Sequence, residues 1–598
     1  MDITLQIRMI ELISRFLKQD KSGFPLYGYS LQKPPFPIEK DADKSSHFKR
    51  VTPESQGLSS LAVKKLISEI EKNNRCFSVH GIMLLRHGNV IAESYWAPYK
   101  AHVPHMLYSM SKSFTSTAIG MLADEGLLSL DENLNNIFEE FAPKQSLFFP
   151  SAPMGITVRQ LLTMKSGSRF NELGSVLDSD WVKMFMESSL KFEPGEKFDY
   201  NSLNSYMLAA IINRKTGMSV SEYLRTRLFE PLGIGSYEWE KCPKGIEKGG
   251  WGLSLTLEDA AKLGQLYLNG GNWNGKQLIS ENFIKEATRS QIKTQNEQAR
   301  YGYGYHIWTD EQHSSYQFNG AFGQYVIVIP EFDAVAAIFS GNESLFSESQ
   351  LLSLFHDCFA LSSPLPLEED ALAYKELLDF SASLRVLDSF CTDSNALIRS
   401  YECECGTSAD AFDKLANALC DKEYILTRNT ASVFPQTIQV VHNNYTDGID
   451  MISFQKDSDD LLVSFYEHTE RNTLKINRDG SFSFSRPALK GERQIAGTRG
   501  VWTNDGKTLF ILCSFTETPD TRIIKLSLKD GGILSTVFDE LPSIDGAAAM
   551  AFKLVGLSER AFFRRLMKNL NSENGSANIR SFLMPSPSGT EITHNEEE

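Results

Sequence analysis

Apolar residues recur at helical spacing through LAVKKLISEIEKN, and two short apolar runs follow in GIMLLRHGNVIAESYW, joined by His87-Gly88-Asn89. A helix and then a β-hairpin are expected, because three- and four-residue spacing builds one helix face and a polar glycine turn reverses a strand. Helical patterns continue through MSKSFTSTAIGMLADEGLL, ITVRQLLTMKSG and YMLAAIINRKTG, the last two stopped by Gly167 and Gly217. LEDAAKLGQLYLNGG predicts a helix that begins near Thr256 and closes at Gly270 and Gly271. Then YGYGYHIW, SSYQFNG, QYVIVIP and AVAAIFSG alternate apolar runs with turn residues, so strands return after the helices. This order predicts an α+β unit over residues 49–360: an antiparallel sheet with strands from both ends of the segment and a helical subdomain inserted between them.

Outside that unit the pattern changes. Residues 1–48 read as an N-terminal extension, whose first part, ITLQIRMIELISRFLKQD, is amphipathic but broken by Arg8, Glu11 and Arg15. The charges exclude the apolar core of a signal peptide, and docking of this helix on its own protein is expected rather than membrane contact. Residues 361–400 read as a helical linker. Residues 401–557 read as an all-β, barrel-like domain, because short alternating runs are separated by Asp-Gly turns. Residues 558–598 hold a basic apolar helix, RAFFRRLMKNL, and a polar Pro/Ser-rich tail expected to be disordered.

The chain has 598 residues and a formal net charge of −15, so it exceeds a single typical domain and offers no general surface for nucleic acid. No apolar run reaches the length of a membrane span. Its 8 cysteines are too sparse for a disulfide framework, which fits a reducing, cytoplasmic compartment. Cys403 and Cys405 form a CxC pair without the further ligands that zinc requires, so no metal is expected.

The sharpest chemical feature is Ser109-Met110-Ser111-Lys112 at the start of a predicted helix. Residues three apart share a helix face, so the Ser109 hydroxyl and the Lys112 amine can meet at a terminus whose free N–H groups favour an oxyanion. Tyr200-Asn201-Ser202 follows a Pro-Gly turn and precedes another helix. Gly270 to Lys276 fits a phosphate-loop string, but Gln277 follows where Ser or Thr is needed and a helix precedes it, so a tight turn is expected. No GxSxG elbow occurs and the histidines carry no triad signature, so structural roles are expected for them.

SMSKSFTSTAIGML, ITVRQLLTMKSG, the Tyr200 segment, GWGLSLTLEDAAKLGQLYLNGGNWNGKQLIS and YGYGYHIW together resemble the serine β-lactamase and penicillin-binding-protein superfamily, in its class C-like branch with esterases, D-amino-acid peptidases and nylon-oligomer hydrolases. The resemblance implies a β-lactamase/transpeptidase-like fold, with Ser109 as the acylated nucleophile, Lys112 assisting proton transfer and Tyr200 as general base. Ser202 stands where the family usually has Asn, and a polar substrate contact is implied there; Asn201 is its neighbour. The third family motif falls at Phe318-Asn319-Gly320, a substrate-binding strand, and the N–H groups of Ser109 and Ala321 would form the oxyanion hole. Gly320 is expected to leave room for substrate. Phe318 replaces the cation that binds a substrate carboxylate, which favours a less polar ester or amide over a β-lactam. Glu172 and Trp181 fall where the family places substrate-contacting loops.

The function implied is a serine hydrolase that cleaves a small-molecule ester or amide through an acyl-enzyme, with no metal or organic cofactor. A D-amino-acid peptidase, a β-lactamase and a catalytically retired ligand-binding protein are the alternatives. FTETP and the Trp502 strand resemble lipocalin-like accessory domains, which leaves a lid, a dimer surface and a ligand cup open for the β-rich part; a homo-oligomer stays open with them.

Overall fold

The computed structural model describes residues 48–592 apart from 74–77, 143–154, 177, 295–300, 343–347, 385–404, 407, 443, 468 and 543–584. The predicted amphipathic segment near the N-terminus and the RAFFRRLMKNL helix lie outside the described residues.

After helix α1 (Ser60–Lys72), strands β1 (Val79–Arg86) and β2 (Asn89–Tyr95) form the expected hairpin. His87 and Gly88 both take positive φ, 49° and 72°, the backbone of a tight turn that matches strand twist. A short strand β3 (His105–Met106) leads to the turn that holds Ser109 and to helix α2 (Ser111–Asp124). The inserted helical region holds α3 (Glu172–Val176) and α4 (Ser202–Thr216). Strand β4 (Leu253–Leu255) pairs with β3, and helix α5 (Leu257–Leu268) starts at Thr256, whose side chain caps it by accepting from Asp259 N–H. The chain returns to the sheet with β5 (Ser315–Gly320), β6 (Gln324–Ile329) and β7 (Ala334–Ser340).

The first sheet has eight strands in the order β2, β1, β7, β6, β5, followed by Trp308–Asp310, Gly302–Tyr303 and Ile292–Lys293. Strands from both ends of the unit therefore meet between the second and third positions, where Ile82 pairs with Ile338. Both faces are covered. Met83, Val326, Val328 and Ala337 pack with Phe114, Leu203 and Leu263 from α2, α4 and α5 on one face. Ile82, Ile327, Ile329 and Ile338 pack on α1 and α6 (Glu348–Phe359) on the other. That double burial explains why QYVIVI reads as a continuous apolar run instead of an alternating one.

Two expectations are corrected, on the linker and the tail, and the β-rich part adds short helices to the curled sheet expected of it. Helix α7 (Ala371–Leu384) is docked, not a free linker: Leu377 and Leu384 join the core under α1, and Ala97 N–H donates to Leu384 O at 3.0 Å. The β-rich part carries helices as well, Ala409–Leu419 and α8 (Gln436–His442), the first placing Phe412 4.7 Å from the ring of Trp502. Its curled 11-stranded sheet includes β8 (Ala496–Thr503), β9 (Thr508–Phe515), β10 (Thr521–Lys529) and β11 (Ser588–Glu591). The last of these lies in the predicted disordered tail, yet it pairs with Ile533–Leu541 on one side and Glu423–Leu426 on the other, because Gly589 and its neighbours complete the ladder between them.

The two units pack directly. Met106 N–H in β3 donates to Glu517 O at the tip of the β9–β10 hairpin, 2.9 Å away. No helix among the described residues is long and apolar enough to cross a membrane.

Candidate active site

Ser109 lies in a single 3-10 turn, Tyr108–Met110, that feeds directly into α2. Tyr108 has φ 49°, a conformation that costs energy for a residue with a Cβ and so must be held by its surroundings. Ser111 does the holding: its hydroxyl donates to Tyr108 O at 2.6 Å and accepts from Leu253 N–H of β4 at 3.1 Å. The turn is thus tied to both the helix and the short strand beside it.

Lys112 is 1% exposed, and its amine donates to Ser109 Oγ at 2.9 Å, Ser202 Oγ at 3.0 Å and Gly250 O at 2.7 Å. All three ammonium hydrogens are used, and none of the three partners carries a charge. Burial therefore dominates and lowers the Lys112 pKa to about 7, against an opposing pull from Glu172. The Lys112 amine also lies 5.0 Å from the centroid of the Tyr200 ring. Tyr200 stacks on Trp308 at 5.9 Å, and its phenol hydrogen-bonds to Ser109. Burial pushes the Tyr200 pKa up, the Ser109 bond pulls it down, and Glu172 raises it further. Ser109, Lys112, Tyr200 and Ser202 thus meet at one point.

Asn201 has a different task. Its side chain caps α4 by accepting from Leu203 N–H at 2.9 Å and donates to Phe170 O at 2.8 Å, which fixes the loop before the helix. Trp181 is 5% exposed and stacks on Trp251 at 5.9 Å, so it is core and not a substrate contact. Phe318 is corrected in the same way. It is fully buried, meets Tyr267 edge-on at 5.1 Å, and packs in the helix-side core, so it does not line a cleft. Gly320 is required for a different reason from the one expected: a Cβ there would sit 2.1 Å from Leu107 O, so the glycine admits the backbone that precedes Ser109. Asn319 is half-buried, with Oδ1 lacking a hydrogen-bond partner. Ala321 is half-buried against Met106, Tyr108 and Phe322.

Sequence reasoning missed the way Glu172 is used. Its Oε1 accepts from Ser202 N–H at 2.7 Å, and its Oε2 is buried without a hydrogen-bond partner. Glu172 is the carboxylate whose field reaches both Lys112 and Tyr200. Nothing local in NELGSV announces this, because the fold supplies the partner from 30 residues away. His306 lies behind Lys112, its Nε2 2.9 Å from Ser205 Oγ, and burial holds it neutral by pushing its pKa well below the usual value.

Part of the chain is similar to known proteins. Residues 64–348 match the family described as Beta-lactamase. Over 250 residues the chain is 26% identical to the 6-aminohexanoate-dimer hydrolase of Paenarthrobacter ureafaciens, which covers 38% of this chain and 61% of that protein. Over 252 residues it is 25% identical to penicillin-binding protein 4* of Bacillus subtilis (strain 168), covering 35% and 53% respectively. The chain therefore spans between about half and two thirds of these curated relatives. Among solved structures, the octameric penicillin-binding protein homologue of Pyrococcus abyssi aligns over 80% of this chain and 99% of its own, at 17% identity and a TM-score of 0.39. The residues that match this family, 64–348, carry the Ser109, Lys112 and Tyr200 cluster.

Proposed function

We propose that this domain is a serine hydrolase that cleaves an ester or amide through an acyl-enzyme on Ser109. The observation that carries the reading is the 2.9 Å contact between Ser109 Oγ and the amine of a buried lysine whose pKa is lowered to about 7. Near neutrality a large fraction of that amine is uncharged. With two hydrogens kept on Ser202 Oγ and Gly250 O, its lone pair faces the Ser109 hydroxyl.

Lys112 takes the hydroxyl proton as Ser109 Oγ attacks the substrate carbonyl, and the oxyanion is held by the N–H groups of Ser109 and Ala321. Because burial raises the Tyr200 pKa, its phenol keeps its proton at neutral pH. Tyr200 therefore acts as a relay, passing a proton to the leaving group while Lys112 replaces it. Water then attacks the acyl-enzyme, and the carboxylic acid leaves as Ser109 regains its proton. Relatives named for hydrolysing an aminohexanoate dimer and for binding penicillin both support an acyl substrate. Phe318 gives no basis for ranking esters over β-lactams, since it faces the core.

The test is covalent. A fluorophosphonate should label the protein once, at Ser109, and Ser109→Ala should remove the label. Equal labelling of the variant would refute the assignment, and a screen of aryl esters, nitrocefin and D-alanyl amides against wild type then names the substrate class.

A further inference from the structure

Beyond Tyr95, at the end of β2, the chain crosses toward the β-rich unit and faces its Asp479–Phe484 loop and Arg499 of β8. Between them lies a cavity of about 700 Å³, inside the range of small-molecule sites. Ser109, Lys112 and Tyr200 are not among its lining residues. Its walls are set by direct packing of the two units: a Cβ on Gly497 would lie 2.4 Å from Pro98 Cβ, so the strand and the crossing segment already touch.

The lining combines aromatic rings with cations. Tyr95, Tyr99, Phe482 and Phe484 give it an apolar body. The Lys100 ammonium sits 4.1 Å from the centroid of Phe484, and the Arg499 guanidinium 5.8 Å from that of Phe482. Arg499 is 4% exposed, and burial alone pushes its pKa down to about 10, so it stays charged at neutral pH in poorly solvated surroundings. The acid in the lining, Asp479, accepts from Ser481 N–H at 2.9 Å within its own loop. A carboxylate placed here gains charge-assisted bonds from cations supplied by both units, and such bonds strengthen where water is scarce. Its apolar body gains the area of the four rings. A compact inorganic anion would leave that area unused, and a neutral guest of the same shape would gain only the area.

We propose that this interdomain cavity is a second binding site, separate from the Ser109 cluster, for an organic carboxylate with an aryl or medium-chain alkyl body. The experiment is calorimetric titration of the full chain, first blocked at Ser109 with fluorophosphonate, using 2-naphthoate and decanoate as probes and 2-naphthamide and decanol as neutral matches. The carboxylates should bind at least about tenfold more tightly than their neutral matches. Lys100→Ala, at a half-buried position, should weaken them several-fold. Ala101→Trp, at an exposed lining position, should fill the cavity and abolish binding without disturbing the core. No carboxylate binding, equal affinity for the neutral matches, or full affinity in both variants would overturn the proposal.

Discussion

Two buried cations in this molecule meet opposite fates. Lys112 and His442 are 1% and 2% exposed, so desolvation works against the charge of both. Around Lys112 the hydrogen-bond partners are two hydroxyls and a carbonyl, and its pKa falls to about 7. His442 on α8 lies 2.6 Å from Glu492 and 3.2 Å from Glu240. There burial again pulls down, but the two carboxylates outweigh it and raise the pKa to about 10. Burial alone does not decide protonation; the charge of the nearest partner does. The first arrangement leaves an amine with the pKa a base needs, whereas the second makes a tie, since Glu240 lies in the domain that matches the β-lactamase family and His442 and Glu492 in the β-rich unit.

The comparison breaks most completely at the proposed nucleophile. Ser109→Ala should lower turnover by about 10⁶, and Lys112→Met by about 10³ or more, as expected when members of one proton-transfer unit are removed. Stability should move the other way for lysine. A buried amine with a depressed pKa costs folding free energy whenever the unfolded chain would be protonated, so stability rises with pH from about 7 toward 10.5. Lys112→Met removes that penalty and should raise the melting temperature at pH 7, measured by calorimetry; a lower melting temperature would mean the three hydrogen bonds outweigh desolvation.

At the tie the signs reverse. The folded pKa of His442 exceeds its unfolded value, so its contribution is fully present below about pH 6.5 and is lost as pH rises through about 10. Glu240 and Glu492 are held at about 2 despite burial, the first by Lys248 and His442 and the second mainly by His442, so their contribution persists above about 4.5 and fades toward about 2. His442→Ala should destabilise the protein by about 3 kcal/mol at pH 7, because it leaves the buried Glu492 without its cation and Glu240 with Lys248 alone. Urea unfolding at pH 7 and pH 10 checks this: the difference between variant and wild type should shrink at the higher pH.

Much of this was legible in local sequence. The three-residue spacing let Ser109 and Lys112 meet on one helix face, and Thr256 caps its own helix, whereas Tyr200 and Ser202 were picked out by the resemblance to a family and not by spacing. Features made by distant contacts were not legible. Lys112 finds Gly250 O across 138 residues, and Glu240 meets an α8 histidine from the other unit. Phe318 misled because a strand buried on both faces has no alternation to say which way a side chain points. Four residues between prolines and a charged end looked like tail, yet Ser588–Glu591 fills a gap in the curled sheet.

The smallest expected effect probes the feature that gives Lys112 a trace of the histidine's environment. Glu172 does not hydrogen-bond the amine, but its field opposes desolvation and holds the lysine pKa above where burial alone would leave it. Glu172→Gln keeps an oxygen for Ser202 N–H, whose 2.7 Å bond fixes the start of α4, and removes only the charge. The lysine should then deprotonate more readily. If neutral Lys112 is the base, the acidic limb of kcat/KM against pH, centred near 7 in wild type, should move to lower pH by less than about one unit. The same change relieves the upward push that Glu172 exerts on Tyr200, although burial still keeps the phenol protonated. A purely structural role for Glu172 would lower kcat/KM at every pH without moving the acidic limb, and a shift of that limb upward would mean that the carboxylate itself accepts the proton.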